Sequence, residues 1–282
     1  MSISIENYFP IETDREIFYQ TWPCEKPKAV IFLTHGIGEH SGSYDRFSQE
    51  LAKKNIQVFA WDLRGHGQSS GQRGYVSNFK EHCTDFKKVF KFFSNKEEFT
   101  DLPIFLFGHS MGGAITLRSF IEQKPKPVTG ICLSSPALGV KQEISQFKES
   151  LAQFADKYLP RLSLSNDINY ETLSQIPEQI EAYSKDSLRH NKINARTYSG
   201  MLESFEIIFK KSSKILSPIL FQVSINDPVV DANEAKKLHK LVKSEVNEFI
   251  GYENSMHEVF NDIEQDQAIK DLVLFINQTI KG

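Results

Sequence analysis

Ile104-Phe105-Leu106-Phe107-Gly108-His109-Ser110-Met111-Gly112-Gly113-Ala114 is the stretch whose reading decides the fold. Four apolar residues run into Gly-x-Ser-x-Gly, and helical spacing follows at Ile115, Leu117, Phe120 and Ile121. The pattern predicts a strand, a sharp turn and a helix, with Ser110 at the turn. That is the setting in which Gly-x-Ser-x-Gly reads as a nucleophile elbow. A serine held on such a turn needs neighbours with almost no side chain. Gly108 and Gly112 supply that room, and Gly113 and Ala114 let the helix lie close to the sheet. The plainer alternative is an ordinary strand-to-helix turn in which Ser110 caps the helix.

The same alternation extends outward in both directions. Upstream, Ala29–Thr34 is a continuous apolar run, as expected of a strand buried on both faces. It ends in the glycine-rich loop His35-Gly36-Ile37-Gly38-Glu39-His40-Ser41-Gly42, and Tyr44, Phe47 and Leu51 then share a helical face. Gln57–Trp61 is the next strand and ends in Asp62-Leu63-Arg64-Gly65-His66-Gly67. Phe79, Cys83, Phe86, Phe90 and Phe93 mark a helix capped by Ser77 or Asn78. Downstream, Val128–Ser134, Pro218–Val223 and Glu245–Ile250 read as strands. Helices are expected over Glu234–Val242 and around Ala268, Ile269, Leu272, Phe275 and Ile276. Ser2–Tyr8 and Glu16–Trp22 alternate and suggest an antiparallel edge. Alternating strands and helices imply an α/β fold with a mostly parallel sheet covered on both faces.

Between Ala137 and Lys211 the rhythm breaks, with helical patterns and polar loops but no clear strand. The expected organisation is therefore a core over residues 1–136 and 212–282, interrupted by a helical cap over 137–211. Such insertions lie over the carboxyl edge of the sheet, where α/β folds bind ligands. Phe147, Leu151, Phe154 and Tyr158 form one helical stripe in it. The stripe either packs the cap or meets a lipid surface, and vesicle co-sedimentation separates the two.

The chain has 282 residues and a net charge of −3. No basic tract with interleaved aromatics suggests nucleic acid. Cys24, Cys83 and Cys132 are too far apart for a metal site and odd in number, so reduced thiols are expected. No apolar run is long enough to span a bilayer, and the first residues do not resemble a secretory signal. A soluble cytoplasmic protein is the expectation, with a peripheral visit to a membrane left open.

A serine hydroxyl needs a base, and the base needs a group to orient it. On this sheet the chain order is Ser, then Asp or Glu, then His. Ser224-Ile225-Asn226-Asp227-Pro228-Val229-Val230-Asp231 follows one strand. Gly251-Tyr252-Glu253-Asn254-Ser255-Met256-His257-Glu258 follows the next. Asp227 lies closer to its strand, whereas Asp231 precedes a helix and suits an N-cap. His257 is the histidine between the last strand and the last helix. His35 and His66 suit structural hydrogen bonds, and His109 is expected to point away from the cleft. The expected catalytic set is Ser110, His257 and Asp227, with backbone N–H groups of Ile37 and Met111 receiving an oxyanion. No metal or organic cofactor is required by this chemistry.

These residues resemble a known family. His35 to Tyr44 is similar to the HGxGEHSxxY segment of monoacylglycerol lipases and related lysophospholipases. Asp62 to Ser69 followed by Gly71-Gln72-Arg73-Gly74 matches that family's DxRGHGxSxGxRG. Gly108–Gly113 reads GHSMGG, and Leu133–Ala137 resembles LSxPA. Two positions depart from it: Ser224 stands where a glycine is usual, and Asp186-Ser187-Leu188 where Asp-Pro-Leu is common. The resemblance implies an α/β-hydrolase fold with a helical cap over an acyl pocket. It also implies hydrolysis of a single-chain lipid ester, monoacylglycerol first, then a lysophospholipid or short-chain ester. Peptidase activity is less expected. A non-catalytic hydrolase-like binding protein is the alternative of a different class, and labelling of Ser110 by a fluorophosphonate separates it from an enzyme.

Overall fold

The computed structural model describes residues 4–281 apart from 126, 140, 142–157 and 160. Eight strands form one sheet in the order β1-β2-β4-β3-β5-β6-β9-β10. They are β1 (Ile5–Glu12), β2 (Arg15–Trp22), β3 (Ala29–Thr34), β4 (Ile56–Trp61), β5 (Ile104–His109), β6 (Gly130–Ser134), β9 (Ile219–Ser224) and β10 (Asn247–Tyr252). β1 and β2 are antiparallel to each other, and β2 is antiparallel to β4. The remaining pairings are parallel. Every residue of β3, β4, β5, β6 and β9 is buried. Strands covered on both faces need apolar residues at both parities, which is why they read as unbroken apolar runs.

Helices α1 (Asp45–Ala52) and α7 (Gln265–Lys281) cover one face through Phe47, Leu51, Leu272, Phe275 and Ile276. Helices α2 (Lys80–Ser94), α3 (Met111–Gln123), α5 (Ala195–Lys210) and α6 (Ala232–Leu241) contribute to the core on the other. Phenylalanine fills that layer. The Phe32 ring lies 5.1–5.7 Å from those of Phe59, Phe86, Phe90 and Phe93. Truncating one such ring to alanine costs about 3–5 kcal/mol. The phenylalanines whose burial is described here serve the interior.

The stretch expected to lack strands contains a short antiparallel pair, β7 (Ser163–Ser165) with β8 (Lys192–Asn194). Each is three residues long, too short for an alternating pattern to show. Helix α4 (Pro177–Lys185) starts with proline at a position where its missing N–H costs nothing. Helix α5 also falls within residues 137–211, yet it packs against α3 with Met201, Phe205 and Ile208 in the main core. Arg118 of α3 is fully buried beneath it and donates to Ser204 Oγ at 2.7 Å. A Cβ on Gly200 would lie 2.3 Å from Phe79 Cβ, so the helix sits directly on the start of α2. Phe147, Leu151 and Phe154 lie outside the described residues.

Candidate active site

Strand β3 pairs with β4 on one side and β5 on the other, so the winding direction reverses between β3 and β5. Loops leaving the carboxyl ends of such neighbours diverge and open a crevice. Ser110 leaves β5 into that crevice, and the loop His35–Glu39 leaves β3 into it. Ser110 has φ 50° and ψ −123°, a conformation a side-chain-bearing residue adopts only under strain of about 1–3 kcal/mol. Its backbone is pinned in compensation. Its N–H donates to the Ser134 carbonyl at 3.1 Å, and its own carbonyl accepts from Gly113, Ala114 and Ala137. The Ser110 hydroxyl makes no capping bond to α3, which leaves it available to the crevice. A Cβ on Gly112 would meet the Thr34 carbonyl oxygen at 2.2 Å, so only glycine allows α3 to begin there.

His257 and Asp227 arrive from the loops after β10 and β9. His257 Nδ1 lies 2.6 Å from Asp227 Oδ2, and both side chains are buried. With Nδ1–H donating to the carboxylate, Nε2 carries a lone pair, the tautomer a base requires. The second carboxylate oxygen, Asp227 Oδ1, accepts from the N–H groups of Val229 (2.7 Å) and Val230 (3.0 Å). Burial raises the Asp227 carboxyl, but the His257 partner and these donors outweigh it and hold it below the usual carboxylate range. Burial likewise lowers His257, and the charge and hydrogen bond of Asp227 more than reverse this. Asp231 does what its position suggested: it caps α6, accepting from Asn233 N–H at 2.9 Å.

Ser110, His257 and Ile37 line one cavity with about 410 Å3 of empty space, part of it open to solvent. A Cβ on Gly36 would lie 3.0 Å from Ser110 Cβ, so the loop carrying Ile37 presses directly against the serine. Met111 is the first residue of α3, where helix N–H groups have no partner within the helix. His35 is structural as expected: its Nδ1 lies 2.7 Å from the Gly36 carbonyl, and its Nε2 accepts from Leu63 N–H at 2.9 Å.

His109 departs from expectation. It lines the cavity instead of pointing away, with its ring 4.8 Å from that of His257. Strand alternation predicts the wrong direction because the chain turns sharply at Ser110. Burial and the neighbouring His257 push His109 down to about 3, so it stays neutral.

Three further cavity residues escaped the sequence reading: Glu39, Arg189 and Glu258. Arg189 donates to Glu258 Oε1 at 3.2 Å, stacks with its Cζ 3.6 Å from the Tyr183 ring centre, and lies 3.8 Å from Glu39 Oε2. Tyr183 OH donates to Glu258. Glu39 Oε1 accepts from Gly36 N–H and Tyr44 OH. Glu39 Oε2 and Arg189 Nε are buried without a hydrogen-bond partner among the described residues. Burial and the nearby Glu258 push the Glu39 carboxyl up to about 7, against the pull of Arg189. The only signal in the chain was Glu39 within its glycine loop; Arg189 and Glu258 look like surface charges until the fold pairs them across 69 residues. Ser224, the departure from glycine, donates to the Ser255 carbonyl at 2.6 Å and so ties β9 to the loop that carries His257.

A sequence model of the family described as serine aminopeptidase, S33, matches residues 25–264. The chain belongs to this family of α/β hydrolases. Within it, the chain is 32% identical over 268 residues to the monoglyceride lipase of Homo sapiens, covering 93% of this chain and 87% of that protein. It is 28% identical to phospholipase YtpA of Bacillus subtilis, covering 92% and 99% respectively. An abhydrolase domain-containing protein of Dictyostelium discoideum is 29% identical along the whole chain, which spans 30% of that protein's length. The monoacylglycerol lipase structure from Paleococcus ferrophilus superposes with a TM-score of 0.81 at 26% identity, covering 94% of this chain and 98% of that one. No described helix is long and apolar enough to cross a membrane.

Proposed function

We propose that this chain is a serine esterase acting on single-chain lipids, with monoacylglycerol as its substrate. The observation that carries the reading is the 2.6 Å contact of His257 with Asp227 at the cavity that also holds the strained Ser110. In this scheme His257 Nε2 takes the proton as Ser110 Oγ attacks the ester carbonyl. Asp227 keeps the proton on Nδ1 and stabilises the imidazolium. The N–H groups of Ile37 and Met111 receive the oxyanion. His257 returns the proton to the leaving alcohol, and an acyl-enzyme remains. Water, activated by the same histidine, then releases the fatty acid.

Substrate class is read from the cavity wall and from the relatives named above. Ile37, Ile168 and Leu173 offer apolar surface, and the Glu39–Arg189–Glu258 cluster gives the same cavity a polar end. A hydroxyl-bearing leaving group suits such a mixed lining. Glu39→Gln, which alters that polar end, is expected to raise KM for monoacylglycerol about tenfold, equivalent to about 1.4 kcal/mol. The same variant should leave p-nitrophenyl acetate kinetics nearly unchanged. Equal effects on both esters would mean that Glu39 shapes the oxyanion loop and not the alcohol site. We further propose that the cap is the segment before α5, residues 137–194, because α5 packs as part of the core.

A hydrolysis panel tests the function. It compares kcat/KM for p-nitrophenyl esters of two to sixteen carbons, monoacylglycerol, lysophosphatidylcholine and alanine p-nitroanilide. Preference for the monoacylglycerol is expected. Preference for lysophosphatidylcholine would move the substrate to the phospholipase side of the family, where YtpA lies by name. Preference for acetate or the anilide would sink the lipid reading.

A further inference from the structure

The loop that carries His257 makes few hydrogen bonds to itself. Three consecutive N–H groups leave it: Met256 donates to Asp262 Oδ2 at 2.5 Å, His257 to the Thr172 carbonyl at 3.3 Å and Glu258 to the Leu173 carbonyl at 2.9 Å. Two of the three acceptors belong to the inserted segment. The third, Asp262, is itself tied to that segment. Its Oδ1 accepts from Gln175 N–H at 2.8 Å and lies 3.3 Å from Ser174 Oγ. Ser174 Oγ also lies 2.8 Å from the Asn261 carbonyl. Asp262 and Ser174 are fully buried.

A buried carboxylate survives only where donors surround it. Among the described residues, those of Asp262 are one N–H of the base loop and the N–H and hydroxyl of the inserted segment. Asp262 does not line the cavity, so it touches neither substrate nor nucleophile. Resting on the assignment of His257 as the base, we propose that Asp262 is a positioning residue. It fastens the His257 loop to Thr172–Gln175, so that the imidazole is aligned when the inserted segment is docked. This part of the insertion is thus one wall of the catalytic frame.

Asp262→Asn keeps the shape and an acceptor for Gln175 but sets an NH2 group against the Met256 N–H. In a variant that melts cooperatively, kcat for p-nitrophenyl butyrate is expected to fall about ten- to a hundredfold, as a small misplacement does. KM should change less than kcat, because Asp262 itself does not line the cavity. The acid limb of kcat/KM should also move to lower pH, since a displaced imidazole loses part of its bond to Asp227. The other titratable groups near that imidazole are Glu258, Glu39 and His109, none of which the substitution alters. A merely structural Asp262 would lower the folded fraction without moving the limb.

Ser174→Ala removes the hydroxyl of the inserted segment and spares the carboxylate, and should shift kcat and the limb in the same direction by less. It decides the matter if Asp262→Asn does not fold. Parent-like kcat and acid limb in whichever of the two variants folds would overturn the proposal. His257→Ala, run in parallel, tests the underlying assignment: retained activity there would overturn the base itself.

Discussion

Ser110→Ala should lower kcat/KM for p-nitrophenyl butyrate by at least about 10^4-fold while leaving the melting temperature close to that of the parent. The size follows from the loss of the attacking atom, since removal of a serine nucleophile alone costs nearly as much as removal of a whole triad. Stability is spared because the hydroxyl makes no capping bond to α3, and the strained backbone is held by bonds of Ser110 N–H and carbonyl that alanine keeps. Fluorophosphonate labelling of the parent and its absence in the variant give a second readout. A variant still labelled, or still active within about tenfold, would move the nucleophile elsewhere and undo the esterase scheme.

Asp227→Asn carries the second large effect, a fall in kcat of about 10^4-fold with KM little changed. The asparagine oxygen can still accept from Val229 and Val230, so the loop is kept. Its NH2 then faces His257 Nδ1 and forces the ring proton onto Nε2, the atom that must act as base. The pH profile adds a signed test. Activity requires neutral His257, whose pKa lies above the ordinary histidine value of about 6.5 because Asp227 outweighs burial. The parent's kcat/KM should therefore rise with pH through a midpoint above that value. In Asp227→Asn the strongest raising partner is gone and only the weaker pull of Glu258 and Glu39 opposes burial, so the residual activity should rise through a lower midpoint. An unchanged midpoint would show that the profile reports another group.

The parallel core was legible because burial on both faces forces unbroken apolar runs, as in Ile104–Phe107 and Ala29–Leu33. Ser110, Asp227 and His257 stood out as candidates because each sits just beyond the carboxyl end of a strand, where chain order constrains identity. The pair β7 and β8 was not, since three residues carry no period and their partners lie far apart in sequence. His109 was misread because alternation fails at a strand end that runs into a positive-φ residue. Arg189, Glu258 and Asp262 were invisible for a different reason. A charged residue reads as surface until the chain brings its partners, and those of Arg189 and Asp262 lie 69 and 87 residues away.

The strand order also bears on synthesis. β3, β5 and β6, which shape the serine turn, are complete in the chain by Ser134, while β9 and β10, which lead into the loops of Asp227 and His257, end at Ser224 and Tyr252. A ribosome adds roughly 5–20 residues per second, and domains fold N-terminal part first. A growing or prematurely ended chain therefore carries Ser110 without the imidazole proposed to activate it. Under the proposed scheme, reactivity is postponed until His257 has been made and β10 has joined the sheet, so a chain that stops short of it does not acylate itself on cellular esters.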